Sequence, residues 1–534
     1  MVMPLLSKLG RFAPLPCSLF VCAAIVCAVA AYVVADDSQR RLLSNTAYLV
    51  GCVELLALPI ALLLAFLLVR TNIAGRSAAL LLCSSLLFVP LYLQLAGWDA
   101  ALGRLGWQTL LFARLEQPWL SHWRGAVFVH AVYAIPWAAC LMAAAFSRGD
   151  RQEEEAALLE GSAWQVLQRV TWRQLLSGTA VAAAWIFVIT AGEMTVTNIY
   201  LVSTYAEDVY NFHAASGDVE GAVIHNLPLS LFTAALVFTL LAVIQPARLF
   251  LSNGSPYRWR LGASRSAMSW LVFIILVMLT AAPLLNLMER MGEDVVFQGN
   301  HRPFRVWSLE KLLRLLVTTP GKFRDEFSVT LLISATVALV AVPLSILAAW
   351  RARQHRIASL VSWLLALVAL AIPAPVVGLG VIWLLNWNTP IHIYLYDETI
   401  VPPVLAILVR VLPLTFVAFW WALRTLDQPP LDAAALEGAG SLRQLFSIAL
   451  PQRWPIVAVT ALAAFVIASG DLSASILTIP PKLYEEPITR RMFGLIHAGV
   501  NDEVAAIGLV SWLGYLMAAA GAFWLLRMRT QAKT

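Results

Sequence analysis

Two acids stand where an apolar chain can least accommodate them. Glu193 and Asp471 each follow a glycine, Gly192 and Gly470, inside long hydrophobic runs. An ionisable group at membrane depth costs about 2.5 to 3.5 kcal/mol on insertion scales, so it needs a partner, water or a purpose. If both acids face one central path, they offer paired oxygen ligands to a hard cation such as Fe3+. Otherwise they cap or pair within the bundle near its outer surface. Glu54 and Arg410 are further intramembrane charges that could pair with each other, and His130 reads as a hydrogen-bonded interior histidine. No metal ligand set is assigned. No catalytic residue is expected either, because no His-Glu-x-x-His or comparable cluster occurs. An ATP site is missing too: Gly321-Lys322-Phe323 lacks both the preceding glycine and the hydroxyl of a phosphate loop.

The elements that must position these groups are membrane spans. With 534 residues, 60% hydrophobic and 13% charged, no soluble domain of any size is left over. The hydrophobic runs predict an all-α polytopic membrane protein of about twelve transmembrane helices, six before a central polar break and six after it. They fall near residues 18–35, 47–69, 77–97, 125–146, 178–202, 227–245, 268–288, 328–350, 358–385, 401–423, 454–478 and 504–526. The first, preceded by Lys8 and Arg11, is expected to remain as an uncleaved span. Pro59, Pro136, Pro343, Pro373, Pro375 and Pro413 are expected to kink spans. Cys17, Cys22, Cys27, Cys52, Cys83 and Cys140 lack metal spacing and read as small buried hydrophobes. Trp98, Trp107, Trp119, Trp123, Trp350, Trp383 and Trp387 lie near span ends, where amphipathic rings favour the interface. The net charge of +6 suits loops on anionic lipid and points to no nucleic acid.

A polar helix-turn-helix interrupts each set of spans after its fourth member. The second copy reads Asp432-Ala433-Ala434-Ala435-Leu436-Glu437-Gly438, then nine residues, then Ile448-Ala449-Leu450-Pro451. The first reads Glu155-Ala156-Ala157-Leu158-Leu159-Glu160-Gly161, then eight residues, then Val170-Thr171-Trp172-Arg173. Asp150 and Glu153 make a capping-box pattern before the first helix, with Gly161 as its left-handed stop. Pro429 and Pro430 suit the first turn of the second, with Asp427 as cap and Gly438 as stop. Alanines at 156, 157, 433 and 434 thin one side of each helix, letting another protein's groove approach.

These motifs resemble the EAA loop of binding-protein-dependent ABC transporter permeases, with Asp432 in place of Glu and the first copy one residue short. The order of elements, the turn Arg70-Thr71-Asn72-Ile73-Ala74-Gly75-Arg76, and the stretch from Gly470-Asp471-Leu472-Ser473 to Pro480-Pro481 are similar to the fused permeases of the iron(III) and thiamine importer group. The resemblance implies two repeated six-span type I ABC importer permease (MetI-like) halves. Residues 1–250 would form the first, with a degenerate EAA loop at 147–177. Residues 251–267 would be a cytoplasmic linker, and residues 268–534 the second half, with its EAA loop at 424–453. It further implies that Glu155, Ala156, Ala157, Gly161, Asp432, Ala433, Ala434 and Gly438 meet an ABC ATPase homodimer, with Leu450 and Pro451 fixing the return helix. ATP and Mg would be bound on those partner subunits, with no cofactor on this chain. A periplasmic or lipid-anchored substrate-binding protein would deliver the cargo at the bacterial inner membrane, and the N-terminus and both loops would be cytoplasmic.

An internal repeat supports two halves independently. Pro136 and Gly161 map onto Pro413 and Gly438 at an offset of 277, and Val170 and Gly192-Glu193 map onto Ile448 and Gly470-Asp471 at 278. Both repeats carry the same orientation in the membrane. Basic residues modestly favour the loop side, except for Arg302, Arg305, Lys311, Arg314, Lys322 and Arg324 in the opposite loop. An ion-gradient-driven carrier with parallel six-span repeats is the alternative. Its long cytoplasmic segment would fall between the halves, whereas here the polar segments fall within each. Thiamine or another small solute remains open beside iron(III) as cargo.

Overall fold

The structure is a computed structural model that describes residues 35–104, 106–111, 118–147, 151–225, 228, 230–233, 235, 257–298, 302–480 and 486–531. The expected spans at 18–35 and, for the most part, 227–245 lie outside the described residues, as do Asp150, Cys17, Cys22, Cys27 and Pro481. Seven described helices are long and apolar enough to cross a membrane, and three bent pairs raise the number to ten. The ten remaining sequence expectations fall on these.

The first run of elements begins with α1 (Asp37–Arg70), which starts ten residues before the apolar stretch. Asp36 and Gln39 form a capping box that carries the helix into polar sequence. Then come α2 (Arg76–Ser85), α3 (Leu91–Leu102), α4 (His122–Phe146), α5 (Arg151–Glu160), α6 (Ala163–Val166), α7 (Trp172–Ala191), α8 (Thr195–Ile199), α9 (Tyr205–Ser216) and α10 (Val219–His225). The second run opens with α11 (Arg265–Gly292), a hairpin of β1 (Glu293–Gln298) and β2 (Arg302–Trp307), and α12 (Leu309–Lys322). There follow α13 (Arg324–Gln354), α14 (Arg356–Ala371), α15 (Ala374–Leu385), α16 (Val401–Arg424), α17 (Pro429–Leu436), α18 (Ser441–Gln444), α19 (Leu450–Gly470), α20 (Ile488–Ala498) and α21 (Asn501–Gln531). The antiparallel hairpin departs from the all-α expectation; it is short and stands outside the spans.

The two runs share their departures from regular helix. The segment expected as one span at 77–97 bends by 99° just before α3, at Pro90, and the one at 358–385 bends by 107° at Pro373. Proline cannot donate to the preceding turn and biases its predecessor away from helix, so both chains turn there. Pro59, Pro136, Pro343 and Pro413 instead lie inside continuous helices. A π-turn occupies Leu167–Thr171 before α7 and another occupies Leu445–Ala449 before α19, at the 278 offset. The spans expected to continue to 202 and 478 stop at Ala191 and Gly470.

Packing follows the same repeat. α1 lies against α4 and α7, and α13 lies against α16 and α19. The runs then cross over: α21 and α11 pack on α3, while α10 packs on α15. Trp98 and Trp350 are buried in these contacts, which overrides their expected interfacial role. Trp350 Nε1 donates to Ser441 Oγ at 2.9 Å, a partner that a ring in lipid would lack. Cys52, Cys83 and Cys140 are free thiols.

Two of the basic residues that strain the charge rule, Lys311 and Lys322, are matched by acids, and Arg290 nearby is matched as well. Lys311 Nζ lies 2.6 Å from Asp502 and 3.6 Å from Asp294, Lys322 pairs with Glu503, and Arg290 pairs with Glu293. The pairs to Asp502 and Glu503 pin α12 to the first turn of α21. Cations neutralised in place leave less net positive charge on that side.

Candidate functional site

The first polar loop is held by a buried carboxylate. Glu154, fully buried on an otherwise exposed α5, accepts from Arg70 Nη2 at 2.6 Å and Thr171 Oγ1 at 2.6 Å. Its other oxygen accepts from the Tyr257 amide at 3.3 Å. The segment after Tyr257 then runs along the end of α1: the Trp259 amide donates to the Arg70 carbonyl at 2.7 Å, and the Leu261 amide to Asn72 Oδ1 at 3.0 Å. A buried carboxylate is tolerated when its lone pairs are taken up, and both oxygens of Glu154 accept hydrogen bonds.

The second loop uses different chemistry in the same place. Leu431, equivalent to Glu154 at offset 277, is buried in an apolar cluster with Phe419, Trp420 and Leu445. Ser441 exchanges hydrogen bonds with Gln354, and Arg353 donates to the Leu423 carbonyl at 3.0 Å and to Gln428. Arg353 thereby ties the end of α13 both to the end of α16 and to Gln428, the residue that starts α17.

Both loops lie at one end of the bundle. Loop one abuts the start of α11, loop two abuts the end of α13, and the hairpin joins the opposite ends of those two spans. Glu155 and Ala156 are exposed and Ala157 is half-buried, as are Asp432, Ala433 and Ala434 in the same order. Gly438 has φ of +81° and stops α17 in the left-handed region. Gly161 is not among the positive-φ residues, so the expected left-handed stop is corrected there. The first loop is a residue shorter and turns directly into Ser162, which caps α6 with a capping box to Gln165. Asp427 is likewise not the cap of α17, whose N-cap is Gln428 with no side-chain bond. Leu450 and Pro451 open α19 just after the π-turn, half-buried and exposed respectively.

Sequence reasoning passed over the most telling residues of these loops. Leu159 is 90% exposed and Leu436 91%, and they are repeat-equivalent at 277. Trp164 and Leu442, equivalent at 278, are also exposed. Large apolar side chains thus stand exposed at matching places on the two loops. Aligning the two copies for apolar identity, beyond the Ala and Gly motif, would have found them.

The two intramembrane acids come together between the halves. Glu193 and Asp471 both line a cavity of about 150 Å³, with Arg410, Tyr133, Trp137 and Trp185. Glu193 Oε1 accepts from the Thr195 amide at 2.6 Å and from Ser473 Oγ at 3.0 Å, and Oε2 from the Val196 amide at 3.0 Å. His130 Nε2 stands 3.4 Å from Glu193 Oε2, while its Nδ1 is 2.8 Å from the Ala126 carbonyl oxygen. Asp471 Oδ1 accepts from the Ala474 amide at 3.1 Å. Both acids therefore cap the turns that end α7 and α19, and they also face the cavity. Arg410 donates to the Ile372 carbonyl at 3.5 Å, and no ion pair joins it to Glu54, so that suggested pairing is corrected. Among the described residues no group of three or more His, Cys, Asp or Glu could hold a metal ion.

At the end of the cavity away from the loops the two runs approach closely in a repeat-symmetric knot. Gly470 of one run backs onto Pro90 of the other, where a Cβ would meet Pro90 Cγ at 2.4 Å. Reciprocally, Gly192 backs onto Pro373, and the Ala374 amide donates to the Gly192 carbonyl at 3.2 Å. A wider apolar cavity of about 870 Å³ shares Phe88, Trp137, Leu414 and Val466 with the first and continues among Ser77, Leu81 and Ala463 toward the loop end.

A family model described as binding-protein-dependent transport system inner membrane component matches residues 341–528. No curated protein and no solved structure matches the chain. The matched stretch, from within α13 to within α21, contains loop two, Arg410 and Asp471. The match covers about a third of the chain, all of it in the second run, and that stretch is similar to the membrane component of such a transport system; by length and composition the described helices are those of a multi-pass membrane protein.

Proposed function

We propose that both runs of elements are permease halves fused in one polypeptide, and that ATPase subunits move them through α5 and α17. The observation carrying this reading is the placement of Leu159 and Leu436, nearly fully exposed and repeat-equivalent, on helices at one end of the bundle. Drawing those helices together tilts α4 and α7 in one half and α16 and α19 in the other, which parts the Gly–Pro knot and opens the cavity away from the loops. The apolar cavity reaching toward the loop end supports a resting form open to the cytoplasm, which is the side assigned to both loops. Glu155, Ala156, Ala157, Gly161, Asp432, Ala433, Ala434 and Gly438 form the docking surface in this reading.

For cargo we propose a small hard cation, iron(III) foremost, delivered by a binding protein. Glu193 and Asp471 support it as two carboxylates on one cavity, and Arg410 in the same wall leaves the attraction weak enough for release. These residues form a transit path for a substrate rather than a seat for a resident metal.

The test is reconstitution in vesicles with the binding protein and ATPase. ATP-dependent uptake lost on replacing both Leu159 and Leu436 by Asp supports the coupling reading. Uptake that persists without the ATPase and follows an ion gradient sinks it in favour of a carrier. Labelled iron uptake unchanged by Glu193→Ala and Asp471→Ala together removes the carboxylate path.

A further inference from the structure

The helix α12 carries more apolar surface than the protein covers. At 100° per residue, Leu315, Thr319, Leu312, Leu316, Leu309, Leu313 and Val317 span an arc of about 200°, with Lys311, Glu310, Arg314 and Thr318 on the remainder. Leu312 is buried in a cluster with Leu287, Met291, Phe323 and Val504, and Leu315 and Leu316 pack against it. That accounts for one half of the arc. Leu309, Leu313 and Val317 make up the other half and are exposed, lining a shallow open groove with Arg314 and Thr318.

Where this stripe lies decides what covers it. α12 connects the ends of two spans, α11 and α13, at the end of the bundle opposite the polar loops. Leu285 and Met288 in the last turns of α11, and Leu331 and Leu332 in the third turn of α13, are exposed on those spans. Val306 and Trp307, which lead into α12, are exposed as well. The uncovered stripe is therefore continuous in the chain with the lipid-facing surface on both sides. A tryptophan stands at its start and an exposed Arg314 at its polar edge. The ion pairs from Lys311 to Asp502 and from Lys322 to Glu503 hold the helix against α21 and keep it from swinging into water.

We propose that α12 is an interfacial helix whose Leu309, Leu313 and Val317 stripe is seated in the headgroup and acyl boundary of the leaflet opposite the coupling loops. Its ligand is lipid: acyl chains meet the leucines and valine, and a headgroup phosphate meets Arg314. The helix acts as a float that fixes the depth of α11 and α13 while the rest of the bundle tilts. This does not depend on which solute the chain carries.

The experiment places a nitroxide, one site at a time, at Leu313, Val317 and Thr318 of the full chain in phosphatidylethanolamine and phosphatidylglycerol vesicles. The signal of the chain without an added cysteine is subtracted, and collision with oxygen is compared with that of a water-soluble nickel complex. Oxygen should exceed nickel severalfold at 313 and 317, and the order should reverse at 318, about 100° round the helix from Val317. Equal nickel access at all three sites would overturn the proposal, because the stripe would then be in water. Protection of 313 and 317 from both reagents would overturn it too, because protein would then cover the stripe. Val317 is 78% exposed, so a label there displaces few of the protein's own contacts, which keeps the readout interpretable.

Discussion

Thr195 Oγ1 and Ser473 Oγ lie 3.1 Å apart across the boundary between the two runs, and their positions differ by 278, the repeat offset itself. Two equivalent residues can touch only where the halves meet on their common pseudo-symmetry axis. Ser473 also donates to Glu193, so hydroxyl, hydroxyl and carboxylate form one polar chain in the wall of the cavity. Replacing Thr195 by Val and Ser473 by Ala, singly and together, should give a coupling energy of about 1 kcal/mol in thermal unfolding of the detergent-purified chain. Additive losses would mean that the two hydroxyls do not interact.

The Gly–Pro knot is symmetric in topology but unequal in clearance. A Cβ on Gly470 would lie 2.4 Å from Pro90 Cγ, whereas on Gly192 it would lie 3.2 Å from the Val188 carbonyl oxygen and 3.5 Å from Pro373 Cα. Gly470→Ala should therefore destabilise by about 1 to 3 kcal/mol, the usual range for overpacking, and Gly192→Ala by less. Equal melting points for the two variants would contradict this order.

Leu159 and Leu436 touch little of their own chain. Aspartate at either position should leave folding stability within about 0.5 kcal/mol of the parent, since both are surface sites. Co-purification with the ATPase should fall with each change and vanish with both. A variant that unfolds, or that retains the partner fully, would refute the docking role.

The Arg70 and Glu154 pair should break asymmetrically. Glu154→Ala alone strands a buried guanidinium and should cost about 3 to 5 kcal/mol, while Glu154→Leu with Arg70→Met should recover most of that loss. The second run already demonstrates the apolar solution, with Leu431 buried at the same register. Denaturation of the three proteins side by side decides it, and a double variant no better than the single would count against the comparison.

Glu207, in α9 outside the spans, gives a pH test. Burial pushes its carboxyl up from the ordinary glutamate value, and Asn211 and Asn198 draw it partly back. An acid raised in the folded state makes the fold more stable when protonated, so stability attributable to it falls as pH rises through the ordinary and then the folded value. Glu207→Gln should therefore raise the melting point at neutral pH, and the gain should fade in acid. A gain that persists below the ordinary glutamate range would point to another cause.

Much of this arrangement was legible in the chain. The shift of offset from 277 to 278 inside the first polar loop is the residue lost where Gly161 leads directly into Ser162, and the acids after Gly192 and Gly470 do meet at one cavity. Other features depend on contacts between distant segments and leave no local trace. Nothing near Glu154 in sequence distinguishes it from Glu153 or Glu155, because its partners come from Arg70, Thr171 and Tyr257. Hydropathy likewise ran straight through Pro90, since a window average registers how apolar a segment is and not which way it turns. Lys311 and Lys322 looked like violations because their acids, Asp502 and Glu503, lie far along the chain.

The paired π-turns at Leu167–Thr171 and Leu445–Ala449 carry a last implication. Pro451, with no amide proton to give, follows the second, but Trp172-Arg173 follow the first, so proline is not what holds the turn wide. Each copy keeps one surplus residue of winding between its surface helix and its long span. If that surplus is taken up into regular α-winding, the helix beyond it rotates by roughly 100° without any helix unravelling. The joint thus works like a caster under each half, letting a push from below swivel the wall above.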